Sequence, residues 1–336
     1  MTATRRRHSA FPWLLVYGAL FVATLVVCPL VGETPVTLRD AWGALLGSGG
    51  AAGDIIVNLR LPRVLLALLV GGTLATAGAA FQVVLRNPLA EPFTLGATGG
   101  ASLGAVLAIS VPGLWISVGP LSTVQLFALA GSAAALGLIY AMARRPTGMS
   151  MNTLLLAGVT ISILCAGAVM LVRYVMNPNL LVQVDRWMMG GLDVVGYEKL
   201  GGILPFLLPG LGLLFLQARA LNHLALGEEM ARGHGVEVSA VQKEAFIGGG
   251  IATAAVVSLA GPIGFVGLIV PHAVRRLSGY DHRMVLPGSF LLGGAALAAC
   301  DTVARTVIAP AQMPVGIITA IIGGPIFIFL LLRGPR

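Results

Sequence analysis

Charged residues are scarce in this sequence. Asp, Glu, Lys and Arg make up 10% of its 336 residues, whereas 57% are hydrophobic, and the mean hydropathy is +0.92. Soluble domains usually carry about 25% charged residues, because a water-exposed surface needs them. This chain has too little polar surface to cover a water-soluble globule. The composition therefore predicts an integral membrane protein.

Lysine and cysteine are also rare, and each shortage excludes a kind of site. The only lysines are Lys199 and Lys243, and neither lies in a G-x-x-x-x-G-K-[ST] motif, so the chain has no P-loop of its own for ATP. Cys28, Cys165 and Cys300 are far apart in apolar runs, which argues against a disulfide framework or a cysteine metal cluster. The five histidines lack HExxH spacing. We therefore expect no metal site and no cofactor.

Long charge-free runs divide the chain into membrane spans. A helix needs about twenty residues to cross the hydrocarbon core of a bilayer. By this measure we expect ten crossings: one each in residues 11–32, 64–85, 146–172, 200–218, 284–304 and 313–332, two in 92–143, and one full and one short or broken crossing in 245–274. The break is expected at Gly261-Pro262 and Gly264, and the sequence thus predicts an all-α bundle of about ten helices.

Two short helices are expected outside the spans. Thr37 and Asp40 resemble a capping box that opens a surface helix through Leu46. Residues 185–191 suit an interfacial helix anchored by Trp187. Glycines at small-xxx-small spacing within the spans, such as Gly96, Gly100 and Gly104, indicate close helix packing rather than ligand binding.

The net charge of +8 reflects topology, because lysines and arginines lie in small groups between apolar runs. A nucleic-acid surface is not expected. Ten crossings place both termini on one side, and that side holds most of the 21 basic residues; the other side holds seven, namely Arg39, Arg60, Arg63, Arg173, Arg186, Lys199 and Arg305. The positive-inside rule therefore predicts a multi-pass membrane protein with both termini in the cytoplasm.

One short charged segment, residues 224–238 (LALGEEMARGHGVEV), interrupts the apolar runs. Gly227 lies near the start of a predicted helix of about two turns, and Gly233 and Gly235 lie past its end. Glu228 and Arg232 are four residues apart, a pair that contributes only a few tenths of a kcal/mol, so the helix must be held from both ends. The segment is typical of a connector on which a soluble partner docks, although an ordinary solvated loop would have a similar composition.

Ten motifs, in order along the chain, resemble those of one family, the FecCD/BtuC-type permease subunits of bacterial ABC importers for iron-siderophore complexes, haem and vitamin B12. They are LRLPR (59–63), RNPLAEPFTLGATGGASLGAVLA (86–108), LLLAG (154–158), WMMGGL (187–192), LALGEEMARGHGV (224–236), GPIGFVGLIVPHAVRR (261–276), DHR (281–283), LPG (286–288), DTVAR (301–305) and PVGIITAIIGGPIFIFLLLR (314–333). The resemblance covers nearly the whole chain.

The resemblance implies a type II ABC importer permease-like bundle, one transmembrane domain over residues 1–336 with a cytoplasmic coupling segment at about 219–243. It implies a second copy of the chain, two ATPase subunits in the cytoplasm, a periplasmic substrate-binding protein, surrounding membrane lipid and a metal-chelate cargo. Such a permease is not an enzyme and has no cofactor. Siderophore, haem and cobalamin permeases share these motifs, and an iron complex is the first expectation.

The resemblance also implies three sets of functional residues. Docking of the binding protein is expected at Arg60, Arg63 and Arg305. Coupling to the ATPase is expected at Gly227, Glu228, Glu229, Ala231, Arg232 and Gly235. A cytoplasmic gate is expected at Asn87, Leu89, Met151 and Asn152, where the last two depart from the small hydroxyl residues of the family.

Two other classes of protein compete with this interpretation. An ion-coupled secondary transporter of a metal chelate would need ionisable residues at mid-membrane, and the long charge-free runs argue against it. An intramembrane enzyme would need a nucleophile, a base or a metal converging inside the spans, and Cys165 with scattered serines and threonines does not supply them. Activity without an ATPase partner would favour either alternative.

Overall fold

The structure, a computed structural model, describes residues 11–32, 34, 36–37, 42–43, 50–111, 113–114, 116–145 and 148–332. Most of these residues are helical. The helices are α1 (Phe11–Val27), α2 (Gly50–Ile55), α3 (Leu61–Val84), α4 (Ala97–Ser110), α5 (Thr123–Ala143), α6 (Met151–Val175), α7 (Leu181–Met188), α8 (Glu198–Leu216), α9 (Ala218–Ala225), α10 (Glu228–Gly233), α11 (Val238–Ala260), α12 (Val266–Ser278), α13 (His282–Thr306) and α14 (Val315–Leu332). A π-helical turn (Ile56–Arg60) joins α2 to α3, a 3-10 turn (Pro178–Leu180) precedes α7, and β1 (Arg144–Arg145) pairs antiparallel with β2 (Gly148–Met149).

Ten helices correspond to the ten predicted crossings. Six spans are long and apolar enough to cross a membrane: Ala52–Val84, Thr123–Ala143, Met151–Val175, Glu198–Leu216, Val238–Ala260 and His282–Thr306. Three shorter apolar helices, α1, α4 and α14, join them. The tenth is α12, which has 13 residues. The prediction of an all-α bundle with one short crossing is confirmed.

The break between the seventh and eighth crossings lies where the glycines predicted it. Gly261 ends α11 with φ of 66°, and Phe265 precedes α12 with φ of 69°. Glycine adopts such a left-handed conformation without strain, whereas a bulky residue like phenylalanine does so only when its surroundings hold it there. The backbone from Gly261 to Phe265 is thus a fixed, non-helical crossing between two packed helices.

Several boundaries differ from the sequence-based expectation. The second span begins earlier, because α2, the π-helical turn and α3 form one continuous helix, Ala52–Val84, and the LRLPR motif lies inside it. Pro62 fits there because it follows the π-helical turn and stands in the first turn of α3. The helix expected at residues 185–191 is α7, which spans Leu181–Met188, and its Trp187 is partly buried against the core. The predicted surface helix from Thr37 to Leu46 falls largely outside the described residues.

Helix α3 is the centre of the bundle. In its most apolar stretch 89% of the residues are buried, and its glycines bring neighbouring backbones into contact. A Cβ atom on Gly71 would clash with the carbonyl oxygen of Gly293 in α13, and one on Gly78 with that of Gly267 in α12. Such approach is the reason small residues are favoured in membrane helix interfaces. The predicted packing role is also seen for Gly100, whose Cβ would meet Gly131 in α5.

Contacts between loops define the two ends of the bundle. At one end, called the coupling end, Arg86 follows α3 and contacts Glu228 of α10, and Asn222 of α9 binds Asp281 before α13. At the other, called the arginine end, Arg63 contacts residues of the 189–197 and 307–314 segments. The candidate functional residues are therefore divided between opposite ends of one packed bundle.

Candidate functional site

The coupling segment is a short helix held between two longer ones. Helix α10 has six residues, and Gly227 precedes it with φ of 121°, a conformation that only glycine adopts readily. Ala231 is fully buried against the bundle, while Arg232 and Gly235 face outward. Arg232 donates to Glu228 at 3.2 Å, as the four-residue spacing predicts. The predicted helix is present, except that Gly233 is its last residue rather than a residue beyond it.

Glu228 also attaches this helix to the bundle. Its Oε1 lies 3.6 Å from the guanidinium of Arg86, in the loop after α3, and accepts a hydrogen bond of 3.3 Å from Gln242 in α11. Glu229, by contrast, is exposed. The sequence alone assigned no role to Arg86 or Gln242, because they lie 142 and 14 residues from Glu228 and no local pattern relates them to it. The positive φ of 48° at Arg86 is visible only in the structure.

A second polar contact joins the coupling segment to the loop before α13. Asn222 of α9 donates to Asp281 at 2.7 Å and accepts from the backbone N–H of His282 at 2.7 Å. Asp281 caps α13 and receives hydrogen bonds from Arg283, which hold the pKa of its carboxyl well below the usual value. The short helix is thus braced from both sides, as its low intrinsic stability requires.

The four residues predicted to form the gate lie at the coupling end. Asn87 accepts a hydrogen bond of 2.9 Å from the backbone N–H of Leu89, which forms a tight turn and leaves the Leu89 side chain 40% exposed. Met151 and Asn152 open α6, where Ser150 caps the helix. Met151 is partly buried against the core, and Asn152 is exposed.

The three predicted docking arginines lie together at the arginine end, but they are buried. Their relative exposure is 7% for Arg60, 9% for Arg63 and 8% for Arg305. Arg60 donates to the backbone carbonyls of Pro29, Leu30 and Thr34, the closest at 2.7 Å. The docking role of these arginines stays a prediction, and the polypeptide itself surrounds their guanidinium groups.

Asp301 lies between the other two arginines. Arg63 donates to both of its carboxylate oxygens, at 2.9 to 3.2 Å, and Arg305 approaches it at 3.1 Å. Asp301 is fully buried. A buried carboxylate shared by two buried guanidinium groups satisfies charges that would otherwise be costly. Arg63 also binds Asp193 at 2.9 Å and Gln312 at 2.8 Å.

Two cavities lie along the path between the ends. The outer chamber, of about 800 Å³, lies at the arginine end and is lined by Arg63, Arg186, Trp187, Asp193 and Gln312 among others. The inner cavity, of about 990 Å³, is lined mainly by apolar side chains and by a few small polar ones, from α4, α6, the broken-helix crossing and the loop before α4. Met189 lines both. The two cavities are therefore neighbours separated by the WMMGG segment.

One carboxylate lines the inner cavity. Glu91, in the loop before α4, lies beside the broken helix and accepts a hydrogen bond from the backbone N–H of Phe265. Burial raises the pKa of Glu91 to about 7, and this hydrogen bond opposes the shift. The contact connects the loop that carries Asn87 and Leu89, two of the predicted gate residues, to the start of α12. Sequence reasoning did not single out Glu91, since its burial depends on a partner 174 residues away.

A bundle of ten membrane helices with a broken crossing, internal cavities and a braced docking segment at one end defines a polytopic transport protein. The chain belongs to the FecCD transport family, whose model matches residues 20–333. It is thus a permease subunit of an ABC importer, a multi-pass protein of the inner membrane rather than an enzyme, and it works with ATPase and substrate-binding partners.

Individual relatives cover almost the whole chain. It is 40% identical to a hemin transport system permease of Yersinia pestis, over 90% of both chains, and 36% identical to a vitamin B12 import system permease of Shigella boydii, over 99% of both. A solved structure described as an inward-facing conformation of a metal-chelate type ABC transporter is 29% identical and superimposes with a TM-score of 0.83, over 97% of this chain and 100% of that one.

Proposed function

We propose that this permease carries a metal chelate, an iron complex or cobalamin, from the periplasm to the cytoplasm. The observation that carries the proposal is the inner cavity of about 990 Å³, whose size is at the upper limit of typical ligand sites. It lies between the outer chamber and the gate loop. The relatives named for hemin and vitamin B12 support a cargo of this size and class.

Two copies of the chain form the working permease. Helix α6 is the most apolar of the six long spans, yet only 22% of the residues in its most apolar stretch are buried. Three exposed side chains of α6, Val159, Ile163 and Met170, also line the inner cavity, so the cavity opens on this face. A second copy packed there would close the cavity into a central path, with membrane lipid covering the remaining apolar surface.

The coupling end lies in the cytoplasm, with both termini, and receives the ATPase. The exposure of Glu229 and Arg232 on α10 supports ATPase docking there, because these side chains are free to contact a partner. Ala231 and Glu228 hold the same helix to the bundle. A partner that moves α10 would therefore act on α3 and α11 through the contacts of Glu228. Residues 1–336 form one permease domain in this proposal, with the coupling segment at about 219–243.

The arginine end faces the periplasm and receives the binding protein. Arg60, Arg63 and Arg305 carry three positive charges, and the two carboxylates that contact them, Asp193 and Asp301, leave an excess of one among the described residues. This excess favours docking of acidic side chains. Because the arginines are buried, we propose that they act through Asp193, which is 69% exposed and can be displaced from Arg63 by a partner carboxylate.

Uptake into proteoliposomes tests the function. The permease is assembled with its ATPase and binding protein, and uptake of haem, ferric siderophores and cobalamin is measured with ATP inside or outside the vesicles. We expect uptake of one cargo class only when ATP reaches the ATPase. An ATPase variant unable to hydrolyse ATP is the control. Uptake that continues without the ATPase would instead support an ion-coupled secondary transporter.

A further inference from the structure

The outer chamber contains one arginine whose charge is not matched. Two arginines, Arg63 and Arg186, line this chamber. Arg63 is paired with Asp301 and Asp193. Arg186, in α7, is exposed, and within the described part of the chain no carboxylate lies within 4.0 Å of its guanidinium group. Its charge is therefore available to a group that enters the chamber.

The nearest acidic residue in sequence does not neutralise Arg186. Asp185 forms an ion pair of 2.6 Å with Arg173, at the end of α6. Asp193, the acidic residue that lines the chamber, is held by Arg63 at 2.9 Å. Both nearby carboxylates thus have other arginines as partners. The chamber retains a net positive charge close to Arg186.

The other walls of the chamber suit an organic ligand. Trp187, Met189 and Met313 supply apolar surface, and Gln183 and Gln312 supply amide groups near the charge. The volume of about 800 Å³ lies within the range of small-molecule sites. An arginine can hold a carboxylate by two parallel hydrogen bonds, which also fixes its orientation.

We propose that the outer chamber is a first binding site for cargo, in which Arg186 binds a negatively charged group, a carboxylate above all, of an anionic metal chelate. The inference rests on the proposed transport function and narrows its substrate class. Cargo released by the binding protein meets Arg186 first and then passes Met189, which lines both cavities, into the inner cavity. Chelates without a negative group bind this chamber more weakly.

The test compares cargoes of different charge in the assembled transporter. Haem and ferric citrate carry free carboxylates, whereas ferrichrome carries no negatively charged group. Each is delivered by a binding protein that loads it, and initial uptake is measured for the wild type, Arg186→Gln and Arg186→Lys. Arg145→Gln is the matched control, because it removes an exposed arginine at the coupling end. Docking of the empty binding protein is measured in parallel.

We expect the wild type to take up an anionic cargo and Arg186→Gln to lower that uptake about tenfold, the effect of losing one charge-assisted interaction of ~1.4 kcal/mol. Arg186→Lys should recover part of the rate, and docking should not change. Wild-type uptake of an uncharged cargo alone, or full anionic uptake by Arg186→Gln, would overturn the inference and leave the transport function intact. A parallel loss of docking would also overturn it. Absence of ATP-dependent uptake by the wild type would overturn both.

Discussion

Replacement of Asp301 by asparagine should destabilise the permease far more than the same replacement of Asp193. Both carboxylates contact Arg63 at 2.9 Å, so the two variants remove the same kind of ion pair from the same arginine. They differ in burial: the Asp301 side chain is 1% exposed and the Asp193 side chain is 69% exposed. The pair is therefore a matched experiment on the effect of burial.

The expected magnitudes follow from the partners left behind. In Asp301→Asn, the neutral amide would face the guanidinium groups of Arg63 and Arg305. These two side chains are only 11% and 7% exposed, so water cannot solvate their charges instead. Removing one partner of a buried ion pair costs about 3–5 kcal/mol, because the remaining charge stays desolvated. In Asp193→Asn, Arg63 keeps Asp301, and exposed ion pairs contribute about 0–1 kcal/mol.

The assay is reversible unfolding of the purified permease in mixed micelles with increasing denaturing detergent. Helicity and the fluorescence of the tryptophans give the free energy of unfolding for the wild type and both variants. We expect a loss of several kcal/mol for Asp301→Asn and less than about 1 kcal/mol for Asp193→Asn. Equal losses would refute the assignment of Asp301 as the buried counterion of the arginine end.

Three further predictions concern other parts of the bundle. Gly78→Ala should lower the free energy of unfolding by about 1–3 kcal/mol in the same assay, because the new Cβ would clash with the backbone of α12. Gly137→Ala is the control: no atom lies within 4 Å of the added Cβ, so this variant should be neutral or slightly stabilising. Burial raises the pKa of Glu91 from 4.5 to about 7, so the folded state holds the proton of this carboxyl more tightly than the unfolded state does. The free energy of unfolding should therefore fall as the pH rises through that interval. A Glu91→Gln variant whose stability depends on pH as the wild type's does would contradict this assignment. Glu228→Gln should release α10 from α3 and α11 and lower transport per ATP hydrolysed severalfold, while the exposed Glu198→Gln should leave that ratio unchanged.

The sequence predicts those features that depend on neighbouring residues. The broken crossing follows from Gly261 and Pro262, and the short helix of the coupling segment follows from Gly227 and the Glu228–Arg232 spacing. Span number follows from the charge-free runs, since each run must cross the bilayer. Span boundaries are less accurate, because helices continue past the hydrocarbon where packing supports them, as in Ala52–Val84.

Contacts between distant residues could not be predicted in this way. Arg63 and Asp301 are 238 residues apart in sequence, and no local pattern shows that one carboxylate serves two arginines. The burial of the arginine end was missed for this reason. The outer chamber was likewise invisible, because its lining comes from α7, the ends of α4, α5 and α11, and the segment before α14. Charge and periodicity locate the functional ends, whereas tertiary packing decides which charges are free.

Helix α3 connects the two functional ends and limits how they can communicate. It carries Arg63 in its first turn, and Arg86 follows its last, so its 24 residues span about 36 Å between the arginine end and the coupling end. Backbone contacts through Gly71 and Gly78 hold it against α13 and α12 without room for sliding. If a partner moves α10 in the proposed coupling, we therefore expect α3, α12 and α13 to move together. The loops would then undergo the changes in φ and ψ that such a movement requires. One of these loop residues, Gly227, already has a positive φ of 121°.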